Sequence, residues 1–160
     1  MRLHLPLSAH DVAKYFVALV DEDAGDSISN LKLQKLLYYA QGFHLALHGK
    51  PLFHEKIKAW DHGPVVPQVY HMYKEHGANA IPKEEIDPHI YTKEVRELLD
   101  EVYSVYGQFS AGKLRSMTHN EPPWRDTPSG EAISHDALRQ FFKTLLIDEE
   151  TKATAAKQGR

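Results

Sequence analysis

One stretch, residues 29–51, constrains the fold more than any other because it carries a helix start, a long apolar body and a stop. Ser29 or Asn30 can cap a first turn by accepting a backbone N–H. Gly49 can adopt the left-handed conformation after a last turn, and the proline two residues later prevents the helix from continuing. The sequence therefore predicts one helix over residues 29–48.

At 100° per residue, this predicted helix is apolar on two opposite sides. One face carries Leu33, Leu36, Leu37, Ala40, Phe43 and Leu47, and the other carries Leu31, Tyr38, Leu45 and Ala46. A helix that is apolar on two sides needs neighbours on both, which predicts the central core element of the fold. A narrow polar strip between the faces consists of Gln34, Gln41 and His48. It is either a solvent-facing edge that contacts a partner or a line of amides that hydrogen-bond within the core.

The rest of the chain shows further helix signals. Apolar residues recur at helical spacing after four candidate caps, which are Ser8, Thr92, Ser110 and Ser134. The pair Gly63-Pro64 predicts another helix start, because proline is favoured in the first turn. We therefore expect a mainly α, compact single-domain bundle of about six helices around the central buried helix, with at most a short β element near residues 56–60 and 81–91.

Length and composition predict one domain. A chain of 160 residues fits a single domain. Residues 148–160 lack apolar periodicity, so we expect the domain to cover residues 1–147 and a flexible C-terminal tail to follow. The chain has no cysteine, which excludes disulfides and thiolate ligands and suits a reducing cytosol. It also has no signal-peptide pattern and no apolar run of roughly 18 residues, so a cytoplasmic protein is expected.

Catalytic and cofactor motifs are absent from the sequence: there is no nucleophile elbow, P-loop or dinucleotide fingerprint. His44 and His48 have the spacing of two zinc ligands on a helix, but Leu45 stands where the zinc-protease motif carries glutamate. Ordinary packing or surface histidines are therefore favoured. The sequence predicts no enzyme, no cofactor and no metal, with a metal-dependent hydrolase as a minor alternative.

Two proline-stiffened segments, residues 59–65 and 118–124, each combine a tryptophan with a histidine and an acid. Tryptophan is enriched at binding hot spots, and rigid loops lower the ordering cost of binding. The alternative is two structural corners in which each tryptophan covers the core. The candidate partner-binding residues are Gln34, Gln41, Trp60, His62, Pro64, His119, Asn120, Glu121 and Trp124.

Nucleic-acid binding has a weaker basis in the sequence. Lys113, Arg115 and Arg125 lie in or near the second segment, and Lys32 and Lys35 lie early on the central helix. Acidic residues interrupt these basic positions, and the formal net charge is −3. A nucleic-acid-binding regulator is therefore kept as the alternative function.

Three sequence patterns in order resemble a known family: LKLQKLLYYAQGFHLALHGKPLF, IKAWDHGPVVPQVYHMY and YGQFSAGKLRSMTHNEPPWRDT. Together they resemble the Panacea antitoxin domain, also called the SocA-like antitoxin domain and often labelled a phage-associated protein. The resemblance runs from about Val12 to Phe142. It implies a mainly helical, non-enzymatic protein of bacteria or their phages that neutralises a cognate toxin encoded beside it. In at least one branch the domain is an adaptor that presents its toxin to the ClpXP protease, so ClpX is a second expected partner.

The resemblance also marks particular positions of this chain. Those that match the family are Leu33, Gln34, Lys35, Tyr38, Tyr39, Trp60, Gly63, Pro64, Val65, His119 and Trp124. His62 departs from it, because many members carry an aromatic residue such as tyrosine there. No further segment has the size and pattern of a helix-turn-helix domain, so direct repression of its own operon is not expected.

Overall fold

The computed structural model describes residues 7–158, with side chains described for residues 7–147. Its α-helices are α1 Ala9–Ala18, α2 Asn30–His48, α3 Pro67–Met72, α4 Lys93–Tyr106, α5 Ala111–His119, α6 Pro122–Arg125 and α7 His135–Gln158. A small antiparallel hairpin consists of β1 Lys58–Trp60 and β2 Gly63–Val65. Single 3-10 turns lie at Glu22–Ala24, Lys74–His76 and Pro88–Ile90. The prediction of a mainly α domain with a small β element is confirmed.

Hydroxyl caps begin the helices at the positions that the sequence predicts. At α1, Ser8 Oγ accepts the backbone N–H of Asp11, and the Asp11 carboxylate accepts the N–H of Ser8. Side-chain oxygens cap α2, α4, α5 and α7 in the same way, from Ser29, Thr92, Ser110 and Ser134. Because each cap satisfies an N–H that has no partner inside the helix, these residues fix where the helices start.

The α2 helix is the centre of the core, as predicted. Twelve of its 19 residues are buried, and it packs against α1, α4, α5, α7 and β2. The ring of Phe142 on α7 lies directly over Gly42, where an added Cβ would be 2.2 Å from the ring. The absence of a side chain at Gly42 therefore allows α7 to approach α2 closely. The apolar face ends before Leu47, which is 53% exposed in the last turn.

The predicted helix start at Gly63-Pro64 is wrong. These residues form β2, and α3 begins at Pro67 instead. Gly63 has a φ of +113°, which lets the chain turn sharply into β2. A proline favours a helix start only if the chain around it is free to turn, and here Pro64 is paired across the hairpin with Ala59.

The sequence allows at most a short second β segment near residues 81–91, and the structure has a 3-10 turn at Pro88–Ile90 there instead of a strand. Prolines in that segment lack the N–H that a strand ladder uses. The outer edge of β1 is paired by residues 130–133. Ala59 N donates to Glu131 O at 2.9 Å, Gly130 N donates to Ala59 O at 2.7 Å, and Ile133 N donates to Ile57 O at 2.8 Å. The hairpin is therefore anchored on that side by the segment before α7.

The last helix is longer than its apolar pattern. The backbone of α7 stays helical to Gln158, through most of the predicted tail, and residues 159–160 lie outside the described residues together with residues 1–6. Alanine, glutamate and lysine are good helix formers without any core contact, so loss of the apolar stripe does not end a helix. No helix in the described part of the chain combines the length and apolarity needed to cross a membrane.

Candidate partner-binding site

The two segments that the sequence predicts as recognition loops meet in space and form one surface. Trp124 Nε1 on α6 donates to the backbone carbonyl of Trp60 at 2.8 Å. His119 Nε2 at the end of α5 lies 2.9 Å from the carbonyl oxygen of Asp61. The rings of His119 and Trp124 pack together with their centroids 3.9 Å apart. We call the surface of Trp60, Asp61, His62, His119, Asn120 and Trp124 the hairpin surface.

The accessible part of the hairpin surface is mixed in character. His62 and Asn120 are exposed, whereas Trp60, His119 and Trp124 are half-buried. Two shallow hollows of about 310 and 170 Å³ adjoin it and share the walls made by Trp60 and Asp61. Trp124 packs against the core and Trp60 packs against Tyr70, while both side chains remain partly accessible to solvent.

Directly beneath the hairpin lies a buried lysine. Lys35 is 1% exposed, and its Nζ lies 3.5 Å from the carbonyl oxygen of Pro64. A Cβ added to Gly63 would be 2.7 Å from Lys35 Cε and 3.0 Å from Thr118 Oγ1, so only glycine leaves room for the lysine. Burial, followed by the positive charge of Arg115, lowers the pKa of Lys35 to about 7. Pro64 is itself buried, and its contact with a partner stays a prediction.

A carboxylate joins α6 to the central helix. Glu121 precedes α6, and its side chain accepts hydrogen bonds from the hydroxyls of Tyr38 and Tyr39, each at 3.0 Å. Burial raises the pKa of Glu121 to about 7, although both hydroxyl bonds lower it. Burial, followed by the charge of Glu121, raises the pKa of both tyrosines. The Glu121 carboxylate thus links two elements internally, and its contact with a partner stays a prediction.

Gln34 and Gln41 of the polar strip on α2 lie inside the core, whereas His48 is exposed, so the interpretation of the two glutamines as a partner-binding edge is wrong. Gln34 Oε1 accepts the N–H of Val66 at 2.9 Å, and its Nε2 donates to Asn30 Oδ1. Gln41 Oε1 accepts the N–H of Leu52, and its Nε2 donates to the carbonyl of Phe53, both at 2.7 Å. These amides satisfy loop backbone groups that would otherwise be buried without partners. The alternative of hydrogen bonding within the core is therefore confirmed for both glutamines.

The basic residues considered for nucleic-acid binding are split between surface and interior. Lys113, Arg115 and Arg125 are exposed. Lys35 is buried under the hairpin, and Lys32 Nζ donates to the carbonyl of Gly107 at 2.5 Å. Two of the five cations are therefore unavailable for a phosphate backbone, which weakens this alternative.

Within the described residues, no third protein ligand joins the histidines of the hydrolase alternative. The rings of His44 and His48 lie 4.7 Å apart. Across residues 7–147 no group of three His, Asp or Glu side chains is arranged to hold a metal ion. A hydrolase of the zinc-protease type needs three protein ligands and a base, which the described residues do not bring together.

Several residues that shape the site were not identified from the sequence as part of it. The sequence marks Lys35 as a basic position, Tyr38 as part of an apolar face and Tyr39 as a family-matching position. Thr118, which is 0% exposed, begins the second proline-stiffened segment but is not among the candidate partner-binding residues. Their signal was present: α2 is apolar on two sides, so any long polar side chain within its body must find a buried partner. The partner of the two tyrosines is Glu121, which is 83 residues from Tyr38 and 82 residues from Tyr39 along the chain. A local sequence pattern cannot identify a partner at that separation.

A groove lies beside the hairpin surface, between α6 and α7. It encloses about 640 Å³, and its walls include Pro122, Pro123, Thr127, Ala137 and Phe141. It shares Thr127 with the hollow next to Trp124. The hairpin surface and this groove thus lie on adjoining sides of α6.

Comparisons with known proteins give an identity to this arrangement. The family model described as "Antitoxin SocA-like, Panacea domain" matches residues 33–125, which include most of α2, the hairpin, α5 and α6. The curated protein Antitoxin SocA of Caulobacter vibrioides (strain NA1000 / CB15N) is 34% identical over 109 residues, covering 61% of this chain and 58% of the relative. The chain therefore matches less than two thirds of that relative's length. No solved structure matches significantly. The family model covers more than half of the chain, and the chain therefore belongs to the SocA-like antitoxin family with a Panacea domain.

Proposed function

We propose that this protein is the antitoxin of a toxin–antitoxin system and that it neutralises a cognate protein toxin by binding it through the hairpin surface. One observation carries the proposal: the family match begins on α2 and ends on α6, and these are the elements that build and support this surface. The name of the Caulobacter relative, Antitoxin SocA, supports the same class of function.

The physical character of the hairpin surface suits protein recognition. Half-buried tryptophans beside exposed polar groups are typical of binding hot spots. The hairpin is held by Trp124 and His119 on one side and by residues 130–133 on the other. A surface that is already ordered loses little conformational entropy when it binds, which favours affinity.

Co-expression with the product of the adjacent gene tests the function. We expect the neighbour to arrest growth alone, to be harmless when this protein is present, and to co-purify with it. A neighbour that is harmless alone, or equally toxic in both strains, would refute the antitoxin function.

Surface variants test the assignment to the hairpin surface separately. His62→Glu and Asn120→Arg change two exposed side chains there, whereas Ser104→Arg changes an exposed residue on α4 and serves as the control. We expect the first two to weaken the complex at least about tenfold, which corresponds to about 1.4 kcal/mol. If all three bind the toxin equally well, the antitoxin function stands but the hairpin surface is not the interface.

Neutralisation has a second version, in which the protein delivers the bound toxin to the ClpXP protease of the bacterial cytoplasm. The family resemblance supports it, and it predicts that the toxin's half-life shortens when this protein and ClpX are both present. A toxin that is equally stable with and without ClpX would eliminate delivery and leave masking as the mechanism.

A further inference from the structure

Two histidines at the end of α2 have no part in the proposed toxin interface. His44 and His48 are one helical turn apart, and their ring centroids are separated by 4.7 Å with an interplanar angle of 52°. Residues four apart on a helix share a face, which is the spacing by which helices present two imidazoles to one metal ion. The sequence alone favours ordinary surface histidines here, because Leu45 breaks the zinc-protease motif.

The turn after α2 provides a second observation that is independent of the spacing of the two histidines. Gly49 adopts φ +70°, and this left-handed turn brings the carbonyl of Lys50 to 2.6 Å from His44 Nδ1. A carbonyl only accepts, so Nδ1 carries the ring proton and the lone pair of Nε2 is left free in the neutral ring. Histidines that bind metals characteristically donate their other N–H to a carbonyl or carboxylate in this way.

Both imidazole rings are within reach of solvent. The ring of His44 is half-buried, and that of His48 is exposed. Within the described residues no hydrogen bond occupies a ring nitrogen of His48, so that side chain is available as a second ligand.

We propose that His44 and His48 form a binding site for a divalent transition-metal ion of the Zn²⁺ class at the C-terminal end of α2. Neutral imidazole nitrogens suit Zn²⁺, Ni²⁺ and Cu²⁺, whereas Mg²⁺ and Ca²⁺ prefer oxygen ligands. Since no third described side chain converges on the pair, water occupies the remaining positions. The site is thus an exchangeable surface site and is independent of the antitoxin function.

Calorimetric titration of the untagged, chelator-treated full chain with ZnCl₂ tests the site. We expect one Zn²⁺ per chain, a saturable rise in Tm with zinc concentration, and no binding of Mg²⁺. His44→Asn and His48→Asn should each weaken zinc binding at least tenfold. His89→Asn removes an exposed histidine from another element and should leave binding unchanged.

A third variant tests the role of the Lys50 carbonyl. Gly49→Ala keeps both histidines, and its Cβ meets nothing within 4 Å, but the side chain disfavours φ +70° and so disturbs the turn. We expect zinc affinity to fall about tenfold, as for loss of other orienting partners. Absence of 1:1 binding at millimolar zinc, or wild-type affinity in both histidine variants, would overturn the site. Unchanged affinity in Gly49→Ala would overturn the orienting role of the carbonyl.

Discussion

Trp124 and Trp60 are joined by a hydrogen bond from the indole Nε1 of the first to the main-chain carbonyl of the second, at 2.8 Å. The bond ties α6 to a hairpin that lies 64 residues earlier in the chain. Among the described residues the indole of Trp60 makes no such bond, and its ring packs edge-on against Tyr70. The two tryptophans therefore have unequal structural roles, although each sits in a similar sequence setting.

This inequality predicts a difference between two conservative substitutions. Trp124→Phe removes the donor and leaves the Trp60 carbonyl without it, whereas Trp60→Phe removes similar bulk but keeps the carbonyl. We expect Trp124→Phe to lower the free energy of unfolding by about 1 kcal/mol more than Trp60→Phe does. Chemical denaturation of both variants measures the difference. Equal losses would show that the hydrogen bond adds nothing to stability.

Gly63→Ala adds only one methyl group, but we expect it to cause a large loss of stability. Gly63→Ala places a methyl group 2.7 Å from Lys35 Cε and forces alanine to φ +113°. We expect the free energy of unfolding to fall by roughly 2–4 kcal/mol, because strain and overpacking add. Gly25→Ala is the matched control, since Gly25 also has a positive φ but open space around its Cβ position. It should cost only about 1 kcal/mol, and equal losses in denaturation would contradict a packed Lys35–Gly63 contact.

Lys35 predicts a stabilising substitution. Its pKa falls from the ordinary value to about 7 because burial disfavours the charged form. Between about pH 7 and 10.5 the unfolded chain binds the proton more than the folded chain does, so the contribution of Lys35 to stability rises with pH. Lys35→Met removes the buried charge, and we expect it to raise the free energy of unfolding by roughly 1–3 kcal/mol at pH 6.5.

The pH dependence of this gain separates it from a general packing effect. The advantage of Lys35→Met should shrink at pH 9.5, where the unfolded lysine also begins to lose its proton. Lys93→Met changes an exposed lysine on α4 and should stay within about 0.5 kcal/mol of the original protein at both pH values. Destabilisation by Lys35→Met at pH 6.5 would mean that the contact with the Pro64 carbonyl outweighs the cost of burial.

Glu121 predicts a pH dependence of the opposite sign. Its pKa is raised from 4.5 to about 7 in the folded chain, mainly by burial. The folded chain binds the proton more than the unfolded chain between these values, so the contribution of Glu121 is fully present below about pH 4.5 and is lost as the pH rises through 7. Glu121→Gln should not show this loss. Between pH 4.5 and 7.5 the free energy of unfolding of the original protein should therefore fall by roughly 1–3 kcal/mol more than that of the variant.

The substitution at Glu121 preserves the local hydrogen bonds. Oε1 lies 3.0 Å from the Tyr38 hydroxyl and 3.2 Å from that of Tyr39, so an amide oxygen there can accept from both. Glu131→Gln, at an exposed position, is the control for the change in net charge. Denaturation curves across this pH range give the measurement. Parallel pH profiles for the original protein and Glu121→Gln would contradict the raised pKa.

Much of the helical framework could be predicted because its signals are local. Ser29 and Gly49 delimit α2 by capping geometry that depends only on neighbouring backbone groups. Thr92 and Ser110 do the same for α4 and α5. The helix start predicted at Gly63-Pro64 is wrong because glycine and proline fit a helix start and a tight hairpin equally well. The pairing of β1 with residues 130–133 decides between them, and that pairing is remote in sequence.

The residues at the surface of the site could be predicted from the sequence, but the buried hydrogen bonds beneath them could not. Trp60, His119 and Trp124 were identified from composition and stiffness, and the structure brings them together. Gln34 and Gln41 were ambiguous because an amide is equally suited to solvent and to a buried backbone partner. Only the positions of the Val66 and Leu52 N–H groups resolve the ambiguity, and tertiary packing sets those positions.

The hairpin tip is fastened through its main chain. The carbonyls of Trp60 and Asp61 receive the contacts from Trp124 and His119, whereas the side chains of Asp61 and His62 are exposed. A carbonyl is present whatever residue occupies a position, so mutation can rewrite the tip without loosening its attachment. The attachment of the tip therefore does not depend on which side chains stand at positions 61 and 62. If the hairpin surface is the toxin interface proposed above, these two residues can change with the toxin while the hydrogen bonds that hold the tip remain.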